Sequence, residues 1–372
     1  MKLTILSFLF LLPLLVGCDD DNDEMAPNTT VPDPTEEEIP EEPDLPEPTA
    51  SCDVIGQLDF DQWISDIWGY STSDQNFALV GFGFEGLIND TTGVYIVNVD
   101  DPTQPELVKK FNNIGGWDIK TYKNYMYTVN GVEEAKGSIV DLSDPSNPIK
   151  IGEFDGAHNI FISDGLLTAS LPGIKIYDIE TDPTNPKLLW TGGPLDSGHE
   201  AMIKGDTLFD FHGRDGTKIY DISDPAKPVT IGYIESPLIR FHHSGWVTKD
   251  GNYLVINDER PAGSAELGDD FTVWDISDIA QPVLKYKYKD LASTLHNVHI
   301  VDYTAYFSYY SAGLRTFDFR DPENPVLICE FDTDPEISGK GFFLGAFGIF
   351  ALTDQPYIYI SDVKNGLFIF DK

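Results

Sequence analysis

Four of the chain's seven histidines, His158, His199, His243 and His296, stand at one position of a recurring segment, and neutral imidazole is the commonest side-chain ligand for transition metals. When each unit is aligned on the turn that follows its leading strand, Ser65, Trp117, His158, His199, His243, His296 and Phe347 fall in register. The next position reads Asp66, Asp118, Asn159, Glu200, Ser244, Asn297 and Gly348. Polar or acidic neighbours thus accompany the imidazoles. A fold that brings these positions to one axis would gather four ring nitrogens suited to iron, copper or zinc, with Asp118, Glu200 or Asn297 orienting the rings. The same register suits a second role, in which each ring donates a hydrogen bond that ties one unit to the next. Both readings demand the same architecture.

That architecture is written in an internal repeat. A short strand ends in an acid and runs into a proline-bounded turn in Gly93-VYIVNVDDPTQP, Gly137-SIVDLSDPSNP, Gly173-IKIYDIETDPTNP, Gly216-TKIYDISDPAKP, Asp270-FTVWDISDIAQP and Gly313-LRTFDFRDPENP, with a truncated Gly366-LFIFDK at the end. The starts lie 36 to 54 residues apart, the range of a four-stranded propeller blade with loop insertions. Proline lacks an amide donor and biases the residue before it toward extended geometry, so a segment such as Asp224-Pro225-Ala226-Lys227-Pro228 joins two strands and is read as structure. The fold class is all-β, a seven-bladed β-propeller. In the best-spaced unit the spacing predicts strands over 296–301, 304–308, 314–319 and 326–331. No segment shows convincing helical periodicity.

The last unit lacks a fourth strand, and Val54-IGQLDF resembles the fourth strands Ile149-KIGEFDG and Val229-TIGYIES. Pairing of this N-terminal strand with the last blade would close the ring and remove its exposed edges. The leading strand of a blade lies nearest the axis, so the aligned histidines are expected at one mouth. The larger insertions, 130–136, 258–268 and 333–343, fall on that same face, where binding chemistry concentrates. His158, His199, His243, His296, Asp118, Glu200, Arg214, Asp258 and Glu259 are the candidate mouth residues, with His212 beside them. His242 and His299 are expected to face the sheets.

The first residues supply an address. Lys2 precedes an apolar run from Leu3 to Val16, too short to span a bilayer comfortably, that ends in Leu15-Val16-Gly17-Cys18. This resembles a bacterial lipoprotein signal over 1–17, with Cys18 lipidated, and places the protein on the outer membrane or cell surface. Residues 18–50 are rich in Pro, Glu and Asp with no Lys or Arg, the composition of an extended tether, and 51–372 form the propeller. The net charge of −38, from 62 acids against 24 Lys and Arg, repels phosphate backbones and speaks against a nucleic-acid partner. Cys52 and Cys329 remain in an oxidising compartment, and their spacing leaves pairing open.

The repeat cores resemble LVIVD repeats. Together with Asp66-IWGY, Gly116-WDIKTYKNYMY, His158-NIFI, His243-SGW, His296-NVHI, Ala312-GLRTFD and Ser361-DVKNGLFIFD, they make the chain similar to the choice-of-anchor B family of bacterial surface propellers. The resemblance implies one propeller held to the envelope, here by lipid, and implies no activity. One departure stands at Tyr310-Ser311, where related sequences tend to carry arginine after the tyrosine. No serine nucleophile elbow, phosphate loop or cysteine–histidine pair is evident. The expectation is a binding or scaffolding module whose mouth holds an extracellular polymer, peptide or envelope protein. The alternative is a metal-dependent extracellular oxidoreductase or lyase, for which iron-holding propellers with four axial histidines are a fold-level analogy.

Overall fold

The acids of the repeat act as turn formers, two in succession. Asp141 Oδ1 accepts from Ser143 N at 2.8 Å and Asp144 Oδ1 from Ser146 N at 3.0 Å. The same pair of bonds recurs at Asp221 and Asp224, at Asp275 and Asp278, and at Asp318 and Asp321. Each carboxylate satisfies a backbone amide two residues on, which bends the chain where proline forbids a ladder. The glycine that opens most copies answers a contact on the other side. Gly313 and Gly366 take φ of +72° and +83°, and a Cβ would lie 2.0 Å from Phe331 O and 2.2 Å from Leu58 O. Only glycine lets the third strand start against the end of the fourth.

The computed structural model describes residues 50–193, 198–235, 239–259, 270–290, 293–337, 343–352 and 356–372. The expected leader, Cys18 and nearly all of the tether lie outside the described residues. Seven four-stranded antiparallel units span 64–112 (blade 1), 118–154 (blade 2), 160–192 (blade 3), 200–234 (blade 4), 242–288 (blade 5), 295–331 (blade 6) and 346–371 with 54–58 (blade 7). In blade 6 the strands are Leu295–Val301, Thr304–Tyr309, Gly313–Asp318 and Val326–Phe331, each within a residue or two of the sequence reading. Every blade has one register shift between its third and outer strands, as at Thr316/Phe317 and Val273/Trp274. Such a bulge adds local twist, and here it adds it at the same radius in each blade.

The ring closes as the repeat count required. Val54–Leu58 pairs antiparallel with Gly366–Asp371, Val54 opposite Phe370 and Leu58 opposite Leu367, and supplies the outer strand of blade 7. Just before it, Ala50–Ser51 runs parallel to the outer strand of blade 6, with Ala50 opposite Cys329. Cys52 and Cys329 are joined in a disulfide, their Cα atoms 5.1 Å apart. The chain therefore bridges two blades before completing the second. Between blades, apolar side chains interleave: Ile64, Ile67, Val80 and Phe82 of blade 1 pack with Phe350, Tyr359, Leu367 and Ile369 of blade 7. Both faces of each sheet are buried by neighbours, which accounts for the aromatic abundance.

Candidate functional site

The aligned positions meet at the axis as a ring of side chains. Successive ring centroids lie 4.4 Å apart for His158 and His199, 4.3 Å for His199 and His243, 4.7 Å for His243 and His296, and 4.3 Å for His296 and Phe347. Trp117 completes the circle, 5.2 Å from Phe347 and 6.1 Å from His158. The seventh position is Ser65, whose hydroxyl donates to Gly116 O at 2.6 Å. One residue further along each strand comes a polar layer. Asp66 accepts from Ile119 N and Asp118 from Ile160 N, each reaching the next blade, while Asn159 Nδ2 donates to Glu200 Oε1 at 2.9 Å.

A third layer lies beneath. Lys120 is buried there, ion-paired with Asp118 and with Asp66 at 3.5 Å, its ammonium 4.5 Å over the Trp68 ring. Trp246, His299 and Phe350 share this level, Trp246 and His299 at 4.6 Å. These residues follow the histidine register by three positions in their own blades, so the alignment contained the signal. His299 is thus a channel residue, where the sheet interior was expected, and Ala351 N donates to its Nδ1 at 3.2 Å.

Above the ring opens a cavity of about 420 Å³. Its walls come from connections between second and third strands and between successive blades, the face the insertions indicated. Trp63, Phe84, Glu85, Glu259, Tyr310 and Phe343 are rim and wall residues. Trp63, Phe84 and Phe343 are 46 %, 63 % and 47 % exposed, so an aromatic lip is left in solvent. Of these six, Glu259 alone was among the candidate mouth residues. The others sit on loops or flank the strands, where no period aligns them. Arg214 is exposed and is not part of the wall, Asp258 is buried and accepts from Arg240 N, and His212 is fully buried against Asp210 Oδ1 at 3.1 Å.

The ring is electrostatically divided. Burial opposes a charge on His158, but Glu85, 3.6 Å from its Nδ1, and the Gly131 carbonyl at 3.1 Å outweigh burial and raise its pKa. Burial, reinforced by neighbouring imidazoles, holds His199 and His243 well below the ordinary range. His296 is pushed down to about 4, mainly by burial. Its Nδ1 lies 2.6 Å from Phe347 O, so Nδ1 carries the proton and Nε2 presents a lone pair toward the axis. Burial lifts Glu200 well above the carboxylate range and pushes Glu259 up to about 7, against a hydrogen bond from Tyr310. Among the described residues, two trios hold ligand atoms within 4.8 Å of one another: His199, Glu200 and His243, and His243, Glu259 and His296. His158 belongs to neither.

Fold and site together define a seven-bladed propeller with an open, histidine-ringed mouth. Residues 116–156, 265–290 and 355–371 match the LVIVD repeat, and the chain carries these repeats. Sequence comparison with curated proteins finds no match. Among solved structures, the chain is similar to a β-propeller domain from Myceliophteria thermophila, with 12% identity and a TM-score of 0.61 over 86% of this chain and 99% of that one. It is similar to the periplasmic gluconolactonase of Pseudomonas aeruginosa, with 11% identity and a TM-score of 0.61 over 79% and 91% of the two chains. A putative 6-phosphogluconolactonase from Bacteroides fragilis aligns with 12% identity and a TM-score of 0.57 over 79% and 89%. At these identities the likeness is one of fold.

Proposed function

We propose that this protein is a lipid-anchored binding module of the bacterial envelope, held on the outer membrane through Cys18 with its propeller at the cell surface. Its mouth takes a small ligand, or the end group of an extracellular polymer, peptide or envelope protein. The observation that carries this reading is the cavity of about 420 Å³ walled by the His158–His199–His243–His296 ring and by Trp117, Tyr310 and Phe347. Its volume falls in the range of small-molecule sites, roughly 300–1,000 Å³. Planar walls favour a ligand with a flat or apolar face, which aromatic rings can cover while the imidazoles and carboxylates hold its polar atoms. The exposed lip of Trp63, Phe84 and Phe343 extends the apolar surface outward, and suits a ligand attached to something larger.

Three measurements test this reading. Palmitate labelling should disappear in Cys18→Ala, and protease added to intact cells should cut the surface-displayed chain. Envelope extracts passed over the immobilised full chain should yield a ligand that quenches tryptophan fluorescence and whose binding weakens in Trp117→Ala. Identical retention by the parent and Trp117→Ala across all fractions would refute a mouth ligand. A second reading, a metal-dependent extracellular oxidoreductase or lyase, draws on one observation, the pair of histidine–carboxylate trios at the axis.

A further inference from the structure

Among the described residues, the trio made by blades 5 and 6 brings two imidazoles and a carboxylate together at the axis. His243 Nε2 lies 3.3 Å from Glu259 Oε2, and His296 Nε2 lies 3.6 Å from Glu259 Oε1. Metal–nitrogen and metal–oxygen bonds of about 2.0–2.2 Å place neighbouring donors on one ion about 3.0–3.5 Å apart. The His243–Glu259 separation falls in that range, the His296–Glu259 separation, to the other carboxylate oxygen, lies just above it, and one ligand atom from each of the three residues lies within 4.8 Å of the others. We propose that His243, Glu259 and His296 form a site for a divalent transition metal, leaving open coordination positions that face the cavity.

Three features favour this trio over its neighbour. The His296 ring is fixed by its Nδ1 bond to Phe347 O, so its Nε2 is presented unprotonated. Tyr310 donates to Glu259 Oε1 at 2.5 Å, orienting the carboxylate as outer groups do around metal ligands and leaving Oε2 free toward His243. Glu200, the carboxylate of the other trio, is instead held by Asn159 and stands 3.9 Å from His243 Nε2. Charge points the same way. Glu85 and Glu259 line the mouth, Glu200 stands in the polar layer below it, and Lys120 beneath them is already paired with Asp66 and Asp118. Two imidazoles and one carboxylate with vacant positions suit Zn²⁺ or Fe²⁺, and the vacant positions would take an oxygen or nitrogen donor.

The inference rests on reading the mouth as a binding site and deepens it, naming an ion that would anchor the ligand. The probe is Co²⁺, titrated into full-length protein that has been freed of any histidine tag, stripped with chelator and exchanged into metal-free buffer. One equivalent should bind with visible ligand-field absorption, and Zn²⁺ should displace it. Glu259→Gln should weaken Co²⁺ binding by at least about tenfold, and Tyr310→Phe by about 10- to 100-fold. Glu259→Gln preserves side-chain shape on a loop, so an unfolding midpoint equal to the parent's separates lost ligation from lost folding. Absence of saturable binding would overturn the site. So would binding that survives Glu259→Gln but disappears in His199→Ala or Glu200→Gln. Because this titration contains no organic ligand, its failure is distinct from failure of the extract experiment.

Discussion

Phe347 and Trp117 meet at 5.2 Å across the one axial position that carries no ring, the place of Ser65 in blade 1. A seventh ring would crowd the circle, whereas serine lets blades 7 and 2 touch while its hydroxyl ties blade 1 to Gly116 O. Ser65→Ala should therefore cost stability with little effect on the mouth. The loss is that of leaving a buried carbonyl unpaired, about 1–3 kcal/mol. A lower urea midpoint with an unchanged m-value is the expected result. An unchanged midpoint would show that the bond is dispensable.

Acid should loosen the channel through His299. Burial, aided by Lys120 and Lys372, pushes its pKa down to about 3 from an ordinary 6.5. The folded ring is neutral while the unfolded chain takes up a proton below about 6.5, so stability falls as pH drops from that value toward 3. By about pH 5 this one group has withdrawn about 2 kcal/mol. His242 and His296, each pushed down to about 4, add to the trend, and Glu259, pushed up to about 7, works against it. Against this background, His299→Asn, which keeps an acceptor for Ala351 N, should show a shallower loss of stability than the parent between about pH 7 and 5. Parallel curves would contradict the assignment.

Reduction should slacken the join between blades 6 and 7. Cys52 precedes the outer strand of blade 7 and Cys329 lies in that of blade 6, separated by 277 residues. Removing a native disulfide costs about 2–5 kcal/mol in secreted domains. Cys52→Ser should keep the β-rich circular dichroism of the parent and unfold at lower denaturant, the deficit equalling that of the reduced parent. A variant as stable as the oxidised parent would show that strand pairing alone closes the ring.

Local chemistry explains which features could be read before folding. The Asp–Pro turns, the glycine starts and the strand bounds of blade 6 depend on residues a few positions apart, and the repeat displays them several times. Ring closure followed from a missing strand and a matching one at Val54. The histidine register was legible because one position recurs in every unit. Tyr310, Glu85 and Phe343 reach the mouth from irregular connections, whose paths depend on tertiary packing. Lys120 and His299 lay within the same alignment three positions on, yet a buried lysine has meaning only once Asp66 of the neighbouring blade is placed beside it. The Cys52–Cys329 bond likewise needed the course of Ala50–Ser51 along blade 6.

Lys120 itself provides the sharpest test of the axial layers. It is buried beneath the mouth between Asp66 and Asp118, and their charges raise its pKa although burial alone would lower it. Removing one member of such a group leaves uncompensated charge in a poorly solvated place, so Lys120→Met should cost about 3–5 kcal/mol. Asp66, whose own pKa burial raises well above the usual value, also loses the cation that opposes that rise. Asp66→Asn in the Lys120→Met background removes the orphaned carboxyl and retains an acceptor for Ile119 N. The double variant should then be more stable than the sum of the single losses predicts, with a coupling of about 0.5–3 kcal/mol by denaturant unfolding. Strict additivity would mean that Lys120 and Asp66 do not sense each other, and the polar layer would lose its role in holding the blades to one axis.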